Sequence, residues 1–134
     1  MSKYQHIKQT AYEANMQLPK LNLVLFTFGN VSAADRSLSV FAIKPSGVPY
    51  EELPPEKMVI VDFDGNIIEG SLRPSSDTKT HAVLYKHWEN IGGIVHTHST
   101  YATAWPQGQR NIPIYGTTHA DHNTVDIPCA PPMA

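Results

Sequence analysis

A chain of 134 residues, 41% hydrophobic and 16% charged, has the composition of one globular domain with a modest core, not of a disordered segment. A formal net charge of −2 without a basic run argues against a nucleic-acid surface, no apolar run is long enough to span a membrane, and "MSKYQHIKQT" lacks a signal-peptide core. The lone cysteine, Cys129, excludes an intrachain disulfide and fits a reducing, cytoplasmic setting.

In chain order, Ile7, Ala11, Ala14 and Leu18 recur at spacings of three and four and predict a helix over 3–18, stopped by Pro19. "LNLVLFTFGN" (21–30) predicts a strand that breaks at Gly29-Asn30, and "LSVFAIKPSG" (38–47) a second strand ending at Pro45-Ser46-Gly47. "KMVIVDFDGNIIEG" (57–70) predicts a hairpin around Asp64-Gly65. "RPSSDTKTHAVLYKHW" (73–88) predicts a helix capped by Ser75 or Ser76, with Ala82, Leu84, Tyr85 and Trp88 supplying its apolar face. "GGIVHTHS" (92–99) predicts a strand, "STYATAW" (99–105) a short helix stopped by Pro106, "NIPIYGTTHAD" (111–121) a brief strand and loop, and "IPCAPPMA" (127–134) a tail. This order predicts a single α/β domain over 1–134, with a mixed sheet that need not be parallel.

Two features carry chemistry. Residues two apart on a strand share a face, so His96 and His98 project together and can reach one metal; the alternative is two histidines making separate hydrogen bonds at a strand end. Asp77 and Asp121 are each a candidate ligand or acid/base, or else a first-turn helix carboxylate and a solvated loop residue. Three polar turns, "FGNVS" (28–32), "KPSG" (44–47) and "RPSSD" (73–77), offer amide, hydroxyl and N–H groups, with Lys44 and Arg73 adding positive charge. The Ser75-Ser76 turn at a helix start suits an anion. "KPSG" lacks the P-loop spacing, and each turn alone is simply a turn. Together with the histidine pair they suggest chemistry on a small phosphorylated molecule.

"GNVSA", "IKPSGV", "PSSDTKTH", "GGIVHTHS" and "GTTHAD", in this order, resemble the class II aldolase superfamily, and within it the L-ribulose-5-phosphate 4-epimerases. The resemblance runs from the first helix to "IPC" at 127–129. It implies a largely antiparallel sheet flanked by helices, with the C-terminal part of the fold absent. It implies Zn2+ held by His96 and His98, with Asp77 beside it in the ligand set. Asn30, Lys44, Ser46, Gly47, Ser75 and Ser76 match positions that hold or border the substrate phosphate, and Asp121 matches an acid/base carboxylate. Aldolases of the superfamily usually carry Glu where this chain has Asp77, which leans the resemblance toward the epimerases. The implied reaction interconverts L-ribulose 5-phosphate and D-xylulose 5-phosphate by breaking and re-forming the C3–C4 bond, with zinc as Lewis acid. The implied partners are a phosphorylated sugar and further copies of the chain, as a tetramer. The resemblance also puts the third zinc histidine and later acid/base groups beyond residue 134; His119 or His122 could substitute, whereas His6 and His87 read as surface helix residues. Two alternatives follow: a remnant that binds metal or phosphate weakly, and a related sugar-phosphate aldolase.

Overall fold

Val40, Ala42 and Ile60 pack on one face of a sheet and Phe41, Ile43, Val59 and Val61 on the other, all buried. Its central strands therefore read as unbroken apolar runs, because both faces are covered. The computed structural model describes residues 2–132. The elements are α1 (Gln5–Lys20), β1 (Asn30–Asp35), β2 (Val40–Ile43), β3 (Val59–Asp62), β4 (Ile67–Glu69), α2 (Thr78–His87), β5 (Gly93–His96), α3 (Thr100–Gln107) and α4 (Thr117–Ala120). The chain forms two compact units, divided between Thr97 and His98.

The first unit holds a five-stranded sheet in the order β4-β3-β2-β1-β5. Every pairing is antiparallel, so the expected mixed sheet is antiparallel throughout. Ile7 and Ala11 of α1 cover one face, and Ala82 and Tyr85 of α2 cover the other. The register places Asn30 of β1 directly across from His96 of β5. A buried amide fixes the start of β1: Asn15 of α1 donates to the Val31 carbonyl at 2.7 Å and accepts from the Val31 N–H at 2.9 Å. At the other end of β1, Arg36 donates to the carbonyls of Tyr85, Trp88 and Ile91 and so closes the C-terminal turn of α2.

The hairpin forms where the sequence predicts it, and α2 forms within its predicted span but starts at Thr78. Asp77 takes the N-cap position without a side-chain cap bond, and Ser75 Oγ accepts the Asp77 N–H just before the helix. Of the expected apolar face, Ala82 and Tyr85 are buried while Trp88 is exposed. Three further expectations need correction. The 21–29 run is not a strand: Asn22, Phe26 and Gly29 adopt positive φ, and Leu21, Leu25, Phe26 and Phe28 are exposed. Helix α1 runs through Pro19 to Lys20, because a proline in the last turn removes only one intrahelical bond. Helix α3 likewise includes Pro106.

In the second unit, Ile112 and Ile127 form an isolated antiparallel bridge, and "GTTHAD" carries the short helix α4 instead of a loop. The Cys129 N–H donates to Asn111 Oδ1 at 2.8 Å, so the expected tail is tied at its start; its last two residues lie outside those described. No helix among the described residues is long and apolar enough to cross a membrane.

Candidate metal and phosphate site

The polar turns of the first unit converge at one end of the sheet. The Ser75 N–H donates to the Lys44 carbonyl at 3.0 Å, and the Ser46 N–H donates to the Arg73 carbonyl at 2.9 Å. These two bonds flank a bridge between Pro45 and Pro74 and knit "KPSG" to "RPSSD". The third turn joins through Asn30, whose Nδ2 donates to Ser75 Oγ at 3.1 Å and to Asp77 Oδ2 at 2.7 Å. Gly29, just before Asn30, cannot carry a side chain. A Cβ there would stand 2.3 Å from Val24 Cγ1 and 2.9 Å from the His96 carbonyl, at a φ of +72°.

Asp77 is the hub. Its Oδ2 also pairs with His96 Nδ1 at 2.5 Å. Burial pushes the Asp77 carboxyl up, but hydrogen bonds from His96 and Asn30, and the charge of nearby histidines, hold it below its ordinary value. A carboxylate on Nδ1 orients the ring and raises the basicity of its other nitrogen, which is how metal-bound histidines are usually supported. Among the described residues, no group of three or more His, Cys, Asp or Glu side chains is placed to hold a metal. Asp77 thus orients the His96 ring, and a metal bound there would need further donors.

The structure places the remaining candidates as follows. Ser46, Gly47 and Ser76 are exposed at their turns, and Ser75 is half-buried. Lys44 is 1% exposed. Its Nζ donates to the Val48 carbonyl at 2.7 Å and the Thr27 carbonyl at 3.3 Å, and lies 4.8 Å from the Tyr50 ring centre. Burial lowers the Lys44 pKa. This ammonium fastens the turns from beneath. Tyr50, its neighbour, donates to the carbonyls of Phe28 and Gly29, and burial pushes its phenol up to about 12. Strand β5 ends at His96, so His98 lies outside the strand on which the pair was expected, and it belongs to the second unit. Asp121 follows α4 in that unit and is exposed.

From sequence, His81 is a residue of the predicted helix that the family does not normally use as a ligand, and it is given no role in the site. It is 2% exposed, and its Nδ1 lies 2.7 Å from Ser32 Oγ. Burial holds its imidazole down at about 4. Asp77, His81 and His96, with Leu84, Ile94 and Val95, line a cleft of about 320 Å3. The i, i+4 spacing of Asp77 and His81 on one helix face was the available signal.

Comparison with known proteins gives the family and the fold. Residues 9–134 match the model of the class II aldolase and adducin N-terminal domain. The chain belongs to that family. It is 56% identical over 125 residues to the L-ribulose-5-phosphate 4-epimerase UlaF of Salmonella paratyphi C, and equally to that of Salmonella typhi, covering 93% of this chain and 55% of each relative. The chain thus spans about half the length of the curated relatives it matches. Among solved structures, an L-fuculose 1-phosphate aldolase superposes with a TM-score of 0.76 at 33% identity, over 84% of this chain and 52% of that one. The L-fuculose-1-phosphate aldolase of Thermus thermophilus superposes with a TM-score of 0.73 at 23% identity, over 91% of this chain and 61% of that one, a likeness of fold. Class II aldolases are generally metal-dependent.

Proposed function

We propose that this chain forms the metal- and phosphate-binding portion of a sugar-phosphate epimerase that interconverts L-ribulose 5-phosphate and D-xylulose 5-phosphate. The observation that carries the reading is the single hydrogen-bonded set of Asn30, Ser75, Asp77 and His96, built from two strand ends and the turn before α2, far apart in sequence. The name of the relatives that are 56% identical to it over 125 residues supports the same reaction.

In this reading Ser46, Gly47, Ser75 and Ser76 receive the phosphate through N–H and hydroxyl groups. The start of α2 adds the positive end of its dipole. Asn30 and Lys44 hold those turns in place. His96 and His98 would ligate Zn2+, with Asp77 steering the His96 ring and contributing to the ligand set; a bound zinc supplies Lewis acidity toward the sugar's carbonyl oxygen. Asp121 takes the proton of the C4 hydroxyl as the C3–C4 bond breaks, leaving glycolaldehyde phosphate and a three-carbon enediolate. It returns that proton after the aldehyde has turned and the bond has re-formed on its other face. The anchored phosphate keeps the glycolaldehyde phosphate in the site while it turns. The phosphorylated sugar is the partner, in the cytoplasm, and further copies of the chain assemble around the site.

The lack of a three-donor group among the described residues favours a second reading, in which the chain binds metal or phosphate without turnover. A coupled assay of D-xylulose 5-phosphate formation, with Zn2+ added, separates the two. Turnover that disappears in the His96→Ala, His98→Ala double variant supports the epimerase. Phosphate-ligand binding without turnover supports the second reading. Release of free aldehyde without epimer points to an aldolase.

A further inference from the structure

A buried chain of three side chains lies behind the cleft and has no part in the reading above. Ser32 Oγ of β1 is 2.7 Å from His81 Nδ1 and 2.8 Å from the Tyr85 hydroxyl, and Ser32 and Tyr85 are wholly buried. The Tyr85 ring cannot turn away. It is packed at 5.1 Å from the Phe41 ring and 5.5 Å from the Phe63 ring, with the Arg36 guanidinium 5.4 Å from its centre.

The direction of these hydrogen bonds follows from counting protons. If His81 Nδ1 carried the proton and donated to Ser32, Ser32 would donate to Tyr85, and the buried phenol proton would have no acceptor among the described residues. Leaving a buried donor unpaired is costly. If instead Tyr85 donates to Ser32 and Ser32 donates to Nδ1, every proton in the chain is used. His81 is then neutral with its proton on Nε2. With Nδ1 held by Ser32, Nε2 is the ring nitrogen left to serve the cleft that His81 lines together with Asp77 and His96.

We propose that Tyr85 and Ser32 fix His81 as an Nε2–H donor facing the cleft, where it donates a hydrogen bond to an oxyanion of the bound substrate. The donor role rests on reading the cleft as the substrate site; the tautomer does not. A fixed neutral donor suits an oxygen that gains negative charge during reaction, because its dipole is in place before the charge develops. The carboxylate of Asp77 gathers protons from Asn30 and His96 and so cannot serve such an oxygen. His81 would be a fixed donor on this wall of the cleft, beside the rotatable hydroxyls of Thr80 and Thr97.

The test has two arms. The first is a long-range 15N–1H NMR spectrum of the imidazoles in the unaltered full chain at neutral pH. His81 should show the Nε2–H pattern, and Ser32→Ala should abolish its fixed tautomer. A Nδ1–H pattern in the unaltered chain overturns the proposal. The second arm titrates glycolate, a small hydroxy-carboxylate, into the Zn2+-treated chain and two variants. His81→Gln, whose amide nitrogen can stand in for Nε2–H, should bind within about threefold of the unaltered chain, and His81→Leu should bind about tenfold more weakly. Equal binding by His81→Leu and the unaltered chain, or no glycolate binding at all, overturns the donor role. If Zn2+ leaves the His96 ring signals unmoved, the metal reading fails by itself; the same comparison is then made without metal and still decides His81.

Discussion

Asn15 offers the sharpest test of how the site is held, because Asn30 stands next to the residue that Asn15 grips. Replacing Asn15 with Leu keeps the volume close and the helix intact but removes every partner of Val31 on the α1 side. The structure gives the loss directly: a 2.7 Å bond to the Val31 carbonyl, a 2.9 Å bond from its N–H, and a 2.7 Å bond to the Ala11 carbonyl. Asn15 and Val31 are buried, so water cannot take over. Two unpaired backbone groups at about 1–3 kcal/mol each put the cost of Asn15→Leu near 4 kcal/mol, a large share of a stability of order 5–15 kcal/mol. Equilibrium urea unfolding followed by far-UV circular dichroism measures it. With a slope of roughly 2 kcal/mol/M, the midpoint should fall by about 2 M. A loss below about 1 kcal/mol would show that the amide bridge does not hold the start of β1 and would refute the reasoning.

Two further predictions follow from neighbouring residues. Gly29→Ala combines a left-handed backbone with a Cβ 2.3 Å from Val24 Cγ1; it should cost about 3 kcal/mol and lower Tm by roughly 10 °C, and a shift under about 2 °C in a thermal melt would contradict the close approach. His81 gives a pH dependence of fixed sign. The unfolded chain takes up its proton near 6.5, whereas burial delays uptake in the folded chain to about 4. Stability from the neutral ring is therefore complete above pH 6.5 and erodes as pH falls toward 4, by about 3 kcal/mol in all. Denaturant unfolding at pH 7 and pH 4.5 should show this loss, and His81→Gln should flatten it; an unchanged pH slope in the variant would argue against a buried neutral histidine.

What could be read in the sequence was local. The Asp64-Gly65 hairpin was legible because turn chemistry and the apolar run after Met58 agree, and α2 because polar capping residues precede a helical repeat. The order of five short motifs carried the family. The 21–29 run misled because its apolar residues suggested a strand while nothing in it showed the positive φ at Asn22 and Phe26. The buried roles of Asn15, Lys44 and Ser32 were not legible for a different reason. Each is a polar residue whose burial is tolerated only through partners brought close by the fold: Val31 for Asn15, Thr27 for Lys44, His81 and Tyr85 for Ser32. The pairing of Asp77 with His96 spans 19 residues and likewise needed the α2–β5 geometry to appear. The sequence could nominate both residues, but it could not show the carboxylate turned onto the ring nitrogen.

The account depends most on His96 being presented to a metal by Asp77. Zinc affinity of the full chain, measured by competition against a chromophoric chelator, tests this directly. The account predicts binding near one zinc per chain, lost in His96→Ala and weakened about 10- to 100-fold in Asp77→Ala, as for the removal of a carboxylate that supports a metal-bound histidine. Binding that is absent in the unaltered chain, or unchanged in both variants, would contradict it.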